Sequence, residues 1–193
     1  MGMKHNIAVF ASGNGSNFQA IMQAVRDGGI PATIELLVCD QPDAYVIKRA
    51  KAAGVDTLVV TRQAFPTKRA FEKKIVEACR KKNIGFIFLA GYMRILGKTL
   101  LDAYPCRIVN IHPSLLPSFT GLDAIGQAFR KGVKITGVTI HYVDEGMDTG
   151  PIIAQAAVPI KDADTIDSLT ERIHETEHVL YPKTIAKLLK ESV

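Results

Sequence analysis

Short apolar runs of strand length alternate with amphipathic segments, and this alternation constrains the fold more than any other feature of the sequence. We predict strands at residues 7–11, 33–39, 56–60, 85–90, 134–143 and 152–159, with a further strand that ends at His112. We predict helices at residues 16–27, 43–53, 66–82, 96–103, 122–131 and 166–189, the third with Pro66 at its start. Strands that are separated by helices pair in parallel, with helices on both faces of the sheet.

The last two predicted strands have no helix between them, so we expect them to form an antiparallel pair. The predicted architecture is therefore α/β: a single-domain, Rossmann-like, mainly parallel sheet with helices on both faces and an antiparallel strand pair toward the C-terminus. Of the 193 residues 47% are hydrophobic, which is enough for one substantial core. We predict one domain over residues 1–193.

Two polar residues interrupt the apolar strand that ends at His112. Asn110 and His112 are two residues apart, so in an extended chain their side chains lie on the same face. Pro113 cannot donate to a sheet ladder, which places the pair at the carboxyl end of the strand. Ligands bind at that edge of open α/β sheets, so the pair is a candidate catalytic site. The alternative is a hydrogen-bonded structural histidine beside a turn-forming asparagine.

A glycine-rich turn joins the first predicted strand to the first predicted helix. Residues 12–17 read S-G-N-G-S-N, and the free N–H groups at such a helix start favour an anion. Phe18 stands where a dinucleotide fingerprint has its third glycine, and the Gly-Lys-Ser/Thr of a P-loop is missing. We therefore predict a site for a single phosphate. A plain helix cap, with Ser16 and Gln19 as a capping box, is a compatible alternative.

An acidic loop at residues 143–151 lies between the last two predicted strands. We expect the carboxylate of Asp148 to reach His112, favour its protonated form and orient its ring. With Asn110 this makes a set suited to addition at a carbonyl, in which Asn110 and His112 donate hydrogen bonds to an oxyanion and Asp148 steers protons. No Ser, Cys or Lys stands in an obvious nucleophile motif, so direct transfer between two bound substrates is favoured.

The last predicted helix contains H-E-T-E-H at residues 174–178, which matches the H-E-x-x-H pattern of zinc proteases. His174 and His178 share a helical face, but a catalytic zinc needs a third protein ligand, and the sequence offers none nearby. We therefore expect no metal.

The formal charge of +5 suits anionic ligands, but the Lys and Arg residues are dispersed at helical spacing and few aromatic residues accompany them. Small phosphorylated substrates are favoured over nucleic acid. Two of the three cysteines lie in or beside apolar runs, so we expect buried, reduced thiols. Residues 1–10 lack a signal-peptide pattern and no apolar run is long enough to cross a membrane, so we expect a cytoplasmic protein without a membrane partner.

Five motifs together resemble the glycinamide ribonucleotide transformylases, the folate-dependent phosphoribosylglycinamide formyltransferases of purine synthesis. They are A-S-G-N-G-S-N at 11–17, L-A-G-Y-M-R-I-L at 89–96, N-I-H-P-S-L-L-P at 110–117, D-E-G-M-D-T-G-P at 144–151 and E-H-V-L-Y-P at 177–182. The resemblance covers essentially the whole chain. It implies formyl transfer from 10-formyltetrahydrofolate, a co-substrate, to glycinamide ribonucleotide, by a monomer or weak homodimer.

The resemblance also implies roles for matching residues. The substrate phosphate would be bound by Gly15, Ser16 and Asn17, and the ribose hydroxyls by Glu177. The folate pocket would be formed by Met93, Arg94, Ile95, Leu96 and Asn110, with Lys68 where the family often has an arginine. The catalytic residues would be Asn110, His112 and Asp148.

One departure from the family pattern is Thr120, which replaces the proline that usually precedes the glycine at 121. It puts the rigidity of that loop in doubt rather than the activity. Other formyl-folate enzymes stay open as alternatives, although a methionyl-tRNA formyltransferase and a formyltetrahydrofolate hydrolase would each be expected to carry a further domain. A phosphate-binding module without chemistry would explain residues 12–17 but not Asn110, His112 and Asp148.

Overall fold

A computed structural model describes residues 4–192 of the chain. The strands are β1 (His5–Ala11), β2 (Ala32–Cys39), β3 (Thr57–Val59), β4 (Phe86–Leu89), β5 (Ile108–His112), β6 (Ile135–Tyr142) and β7 (Ile152–Pro159). The helices are α1 (Ser16–Arg26), α2 (Tyr45–Ala53), α3 (Lys68–Lys81), α4 (Lys98–Ala103), α5 (Ala124–Lys131) and α6 (Ile166–Glu191), with a 3₁₀ turn at Arg62–Ala64. The predicted domain and the prediction for residues 1–10 both include residues 1–3, which, like residue 193, lie outside the described part.

The strands form one sheet in the order β3-β2-β1-β4-β5-β6-β7. Strands β1 to β5 pair in parallel, while β6 is antiparallel to both β5 and β7. The predicted α/β class and the antiparallel pair at the C-terminus are thus confirmed. The second antiparallel pairing, β5 with β6, was not predicted from the pattern. It arises because the connection through α5 begins and ends at the same edge of the sheet, without crossing over it.

The sheet is covered on both faces, and the alternation of side chains along β1 shows the division. Ile7, Val9 and Ala11 join the apolar cluster that contains the buried side chains of α1, α2 and α6. Ala8 and Phe10 point to the other face, where they join the buried side chains of α3 and α4. Because β1 is buried on both faces, its sequence is a continuous apolar run.

Predicted element boundaries lie within two residues of the observed ones. The start of α3 is a correction, because Pro66 precedes the helix instead of opening it. Thr67 is the N-cap, and its side chain accepts a hydrogen bond of 3.1 Å from the backbone N–H of Ala70. A threonine that satisfies a free N–H of the first turn defines the helix start more strongly than a nearby proline.

Cys39 and Cys79 are buried, Cys106 is exposed, and all three are free thiols. Within residues 4–192, no helix combines the length and the apolar character that a membrane crossing needs.

Candidate active site

The carboxyl ends of β1, β4 and β5 meet at the edge of the sheet where the strand order reverses. From β1 the chain runs outward to β2 and β3, and it then returns to β4 on the other side of β1. Such a reversal opens a crevice beyond the strand ends, where ligands bind in open α/β sheets. Two segments that leave these strands are the β1 loop (residues 12–15) and the β4 loop (residues 90–97).

The β1 loop ends in a glycine that no other residue can replace without strain. Gly15 is the N-cap of α1 with φ 79°, and a Cβ atom there would lie 2.4 Å from Cγ2 of Val46. Because Gly15 takes the cap position, Ser16 is the first helical residue, and the capping box of Ser16 with Gln19 is wrong. Among the residues that the structure describes, no side chain caps the first turn of α1. Its N–H groups are therefore available to an anion.

Residues of helix α2 form hydrogen bonds that fix the β1 loop. Arg49 donates from Nε to the carbonyl of Asn14 at 2.9 Å and from Nη2 to its Oδ1 at 2.8 Å. The backbone N–H of Val46 donates to the carbonyl of Gly13 at 3.1 Å. These bonds hold the loop in shape and bring the Arg49 guanidinium to it, which adds positive charge beside the uncapped helix start.

Asn17 and Glu177, which are far apart in sequence, are in direct contact. Nδ2 of Asn17 donates to Oε2 of Glu177 at 2.9 Å, and the residue Glu177 is 5% exposed. Burial raises the pKa of Glu177 to about 7, against the opposing effect of the Asn17 hydrogen bond. Oδ1 of Asn17 is buried and has no hydrogen-bond partner within residues 4–192. The pair therefore offers acceptors to hydroxyl donors beside the start of α1.

His112 and Asp148 face each other. Nε2 of His112 lies 2.8 Å from the carbonyl oxygen of Phe119, so this nitrogen carries a proton and donates it. The other ring nitrogen, Nδ1, lies 3.5 Å from Oδ2 of Asp148, and both side chains are largely buried. With Nε2 as donor, Nδ1 accepts in the neutral ring; only in the imidazolium form does Nδ1 also carry a proton that it can donate to Asp148 or to a ligand oxygen.

Asp148 is positioned by the backbone of two loops. Its own φ is 57°, and its Oδ2 accepts a hydrogen bond of 2.8 Å from the N–H of Gly121. The neighbouring carboxylate, Asp144, instead closes the acidic loop, because its Oδ1 accepts from the N–H of Gly146 and from Oγ1 of Thr149. Of these two carboxylates in the acidic loop, Asp148 is the one that faces the histidine.

His141, which the sequence reasoning missed, completes this group. It lies opposite Asn110 in the β5–β6 ladder, and its Nε2 is 3.2 Å from Nδ2 of Asn110. Its Nδ1 donates to the carbonyl of Tyr142 at 2.8 Å, so Nε2 accepts from the asparagine amide. Burial lowers the pKa of His141, which keeps the ring neutral in this acceptor role. Asp148 Oδ1 is 3.7 Å from the same nitrogen.

The residues assigned to a folate pocket differ in their exposure and in the direction of their side chains. Met93 and Ile95 are 69% and 54% exposed and present apolar side chains to solvent, whereas Leu96 is buried in the core. Nε of Arg94 donates to Asp40 at 2.7 Å, so its guanidinium is directed at β2 rather than outward. Lys68 lies in a groove of about 570 Å³ between α3 and α4. Within residues 4–192, no hydrogen bond or ion pair joins Lys68 to the catalytic candidates.

The two histidines of the H-E-x-x-H match lie one turn apart on α6, with ring centroids separated by 6.3 Å. Across residues 4–192, no three side chains of His, Cys, Asp or Glu are grouped so that they could hold a metal ion.

The chain is similar to known proteins over most of its length. The family model described as "Formyl transferase" matches residues 5–185. The phosphoribosylglycinamide formyltransferase of Bacillus subtilis (strain 168) is 54% identical over 182 residues, which cover 94% of this chain and 93% of that protein. The trifunctional purine biosynthetic protein adenosine-3 of Drosophila melanogaster is 42% identical over 188 residues, which are 96% of this chain and 14% of that protein.

A solved structure is similar over nearly the same range. The crystal structure of phosphoribosylglycinamide formyltransferase from Bacillus halodurans superposes with a TM-score of 0.95 at 52% sequence identity. The match covers 97% of both chains.

Proposed function

The chain belongs to the formyl transferase family, and from this membership we propose that it transfers the formyl group of 10-formyltetrahydrofolate to the amine of glycinamide ribonucleotide. The products are formylglycinamide ribonucleotide and tetrahydrofolate, as a step of de novo purine biosynthesis. The observation that carries the proposal is the convergence of Asn110, His112 and Asp148 at the carboxyl edge of the sheet, in a chain that matches phosphoribosylglycinamide formyltransferases over most of its length.

In this proposal the ribonucleotide amine attacks the formyl carbon directly, and the bond from that carbon to the folate nitrogen then breaks. Asn110 keeps one N–H on His141 and directs the other at the oxyanion. His112 acts in its doubly protonated form and contributes the proton on Nδ1, the nitrogen that lies 3.5 Å from Oδ2 of Asp148. Two donors aimed at the developing negative charge stabilise the tetrahedral intermediate. Asp148 accepts the proton that the amine loses and helps to pass it to the departing folate nitrogen.

The ribonucleotide is proposed to bind at the β1 loop and the start of α1. Gly15, Ser16 and Asn17 would bind the phosphate, and the uncapped first turn of α1 supports this assignment. Glu177 would accept hydrogen bonds from the ribose hydroxyls. Its contact with Asn17 supports this, since it places the carboxyl group against one of the three residues proposed to bind the phosphate.

The folate is proposed to bind along the β4 loop. Met93 and Ile95 would supply apolar side chains, while Arg94 and Leu96 would contribute backbone groups, because their side chains are engaged elsewhere. Asn110 would face the formyl group, and Lys68 would lie toward the far end of the folate. We further propose a single formyltransferase domain that acts in the cytoplasm as a monomer or weak homodimer, with no metal.

The proposal is tested by the absorbance change that accompanies loss of the formyl group from 10-formyltetrahydrofolate. The chain is mixed with the folate alone, with glycinamide ribonucleotide alone, and with both. We expect a change only when both are present. A change with the folate alone would indicate a hydrolase, and no change in any mixture would indicate a binding module.

A further inference from the structure

Asp40 is a buried carboxylate that is not among the proposed substrate-binding residues. It directly follows β2 and is 2% exposed. Three side chains donate hydrogen bonds to it: Ser12 from Oγ at 2.5 Å, Arg94 from Nε at 2.7 Å and Gln41 from Nε2 at 3.1 Å. Ser12 belongs to the β1 loop and Arg94 to the β4 loop, so one carboxylate holds both loops.

Ser12 also joins the two loops directly. Its N–H donates to the carbonyl of Gly91 at 3.0 Å, and its Oγ accepts from the N–H of Met93 at 2.9 Å. The hydroxyl proton is therefore available to donate to Asp40, and these two hydrogen bonds fix the orientation of the serine hydroxyl group. Two backbone sites of the β4 loop are in this way fixed relative to the β1 loop.

Both side chains of the Asp40–Arg94 ion pair are restrained by their surroundings. The Asp40 side chain is 1% exposed and that of Arg94 is 27% exposed. The guanidinium carbon lies 5.8 Å from the ring centroid of Phe71, on α3. Charge-assisted hydrogen bonds in such a site are strong, and removing one partner leaves a buried charge without compensation. The two loops are therefore expected to move as one unit.

We infer that Asp40 is a positioning residue that couples the ribonucleotide site to the folate site. This inference rests on the proposed function, in which the β1 loop binds the phosphate and the β4 loop binds the folate. A substrate that orders one loop then orders the other through Asp40, so the second substrate binds at a lower cost in conformational entropy. The coupling is reciprocal, because each substrate tightens the other by the same factor.

The experiment measures the affinity of tetrahydrofolate, under anaerobic conditions, with and without saturating glycinamide ribonucleotide. In the unmodified chain we expect the ribonucleotide to tighten tetrahydrofolate binding about 5–10-fold, a usual size for coupling between sites. Asp40→Asn keeps the size of the side chain but loses the ion pair with Arg94. In this variant we expect the ribonucleotide to tighten tetrahydrofolate binding by less than about twofold. Gln41→Ala is the matched control, because it removes a bond to Asp40 that touches neither loop, and it should keep the full coupling.

A role in stability alone would lower the unfolding temperature of Asp40→Asn and leave the ratio of the two affinities unchanged, which would overturn the inference. Absence of coupling in the unmodified chain would overturn it as well. If Asp40→Asn does not fold, Ser12→Ala replaces it, because it removes the hydroxyl between Met93 and Asp40 and should also reduce the coupling. Failure of the proposed function is recognised separately, since the unmodified chain would then not transfer the formyl group.

Discussion

Asn110 has its side chain fixed before any substrate arrives. Nδ2 donates to His141, whose tautomer is set by the carbonyl of Tyr142. A donor whose orientation is fixed in advance stabilises an oxyanion without the cost of reorganisation. At the level of the single residue, removal of the Asn110 amide therefore measures how much one fixed donor contributes to stabilising the oxyanion.

We expect Asn110→Ala to lower kcat about 10²–10³-fold, the usual loss for one oxyanion donor. Steady-state kinetics with both substrates measures the effect, and thermal unfolding checks that the variant is folded. A decrease of less than about threefold would remove Asn110 from the mechanism.

A second prediction concerns stability and follows from the burial of the Glu177 carboxyl group. Its pKa is raised from 4.5 to about 7, so the native state holds this proton where the unfolded state has lost it. The free energy of unfolding therefore falls as pH rises from 4.5 to about 7. Glu177→Gln carries no charge, and we expect it to be more stable than the unmodified chain at pH above 7, by about 3 kcal/mol at most.

Urea unfolding at pH values below and above this range measures the difference between the two proteins. Glu171→Gln is the matched control, because it removes a carboxylate from an exposed position on the same helix. A Glu177→Gln variant that is equally destabilised across the range would show that the carboxylate is compensated in the native state. We also expect this variant to raise the KM for the ribonucleotide.

At the scale of elements, the start of α1 is the part of the site that can be tested most cleanly. Ser16→Asp adds a negative charge to the first turn, where the helix dipole favours it, so the helix should keep its stability. The same charge repels a phosphate bound at this turn. We expect the ribonucleotide KM to rise far more than the folate KM.

The neutral variant Ser16→Asn has a similar size and is the control, with a small effect on both KM values. Equal increases of the two KM values in Ser16→Asp would contradict the assignment of the phosphate to this turn.

Most elements could be predicted from the sequence because their signals are local. Apolar runs and amphipathic spacing are properties of short segments, and they were sufficient for the strands and helices. The start of α3 and the cap of α1 were missed, because the choice between neighbouring cap residues depends on backbone angles. Gly15, for example, takes the cap of α1 because its positive φ brings the loop against Val46.

His141 and Asp40 could not be assigned from the sequence, for a different reason. His141 meets Asn110 only through the register of the antiparallel β5–β6 pair, which no local pattern specifies. Asp40 meets Ser12 and Arg94 because β2 lies beside β1 and the β4 loop returns to the same edge. By contrast, Asn110 and His112 could be proposed together, because two residues on one strand share a face.

At the scale of the whole molecule, Tyr181 joins α6 to the strands that carry the site. It is fully buried, and its hydroxyl group lies 2.9 Å from the carbonyl oxygen of Leu89 in β4 and 3.1 Å from that of Val109 in β5. The two carbonyls directly precede the β4 loop and Asn110. Burial raises the pKa of the Tyr181 phenol, which keeps the proton that is donated.

We expect Tyr181→Phe to lower the free energy of unfolding by about 1–3 kcal/mol, because two buried carbonyls lose this donor. Denaturant unfolding measures the change. Tyr45→Phe, at an exposed position, is the control and should change stability by less than about 0.5 kcal/mol. A change in Tyr181→Phe as small as in the control would show that the hydroxyl does not hold the helix to the sheet.

The most direct measurement follows a labelled formyl carbon from 10-formyltetrahydrofolate in a single turnover. We expect the label to appear in the ribonucleotide amine at the rate at which it leaves the folate, and both rates to fall together in Asn110→Ala. Release of the label as free formate at the same rate, with or without the ribonucleotide, would contradict direct transfer between two bound substrates.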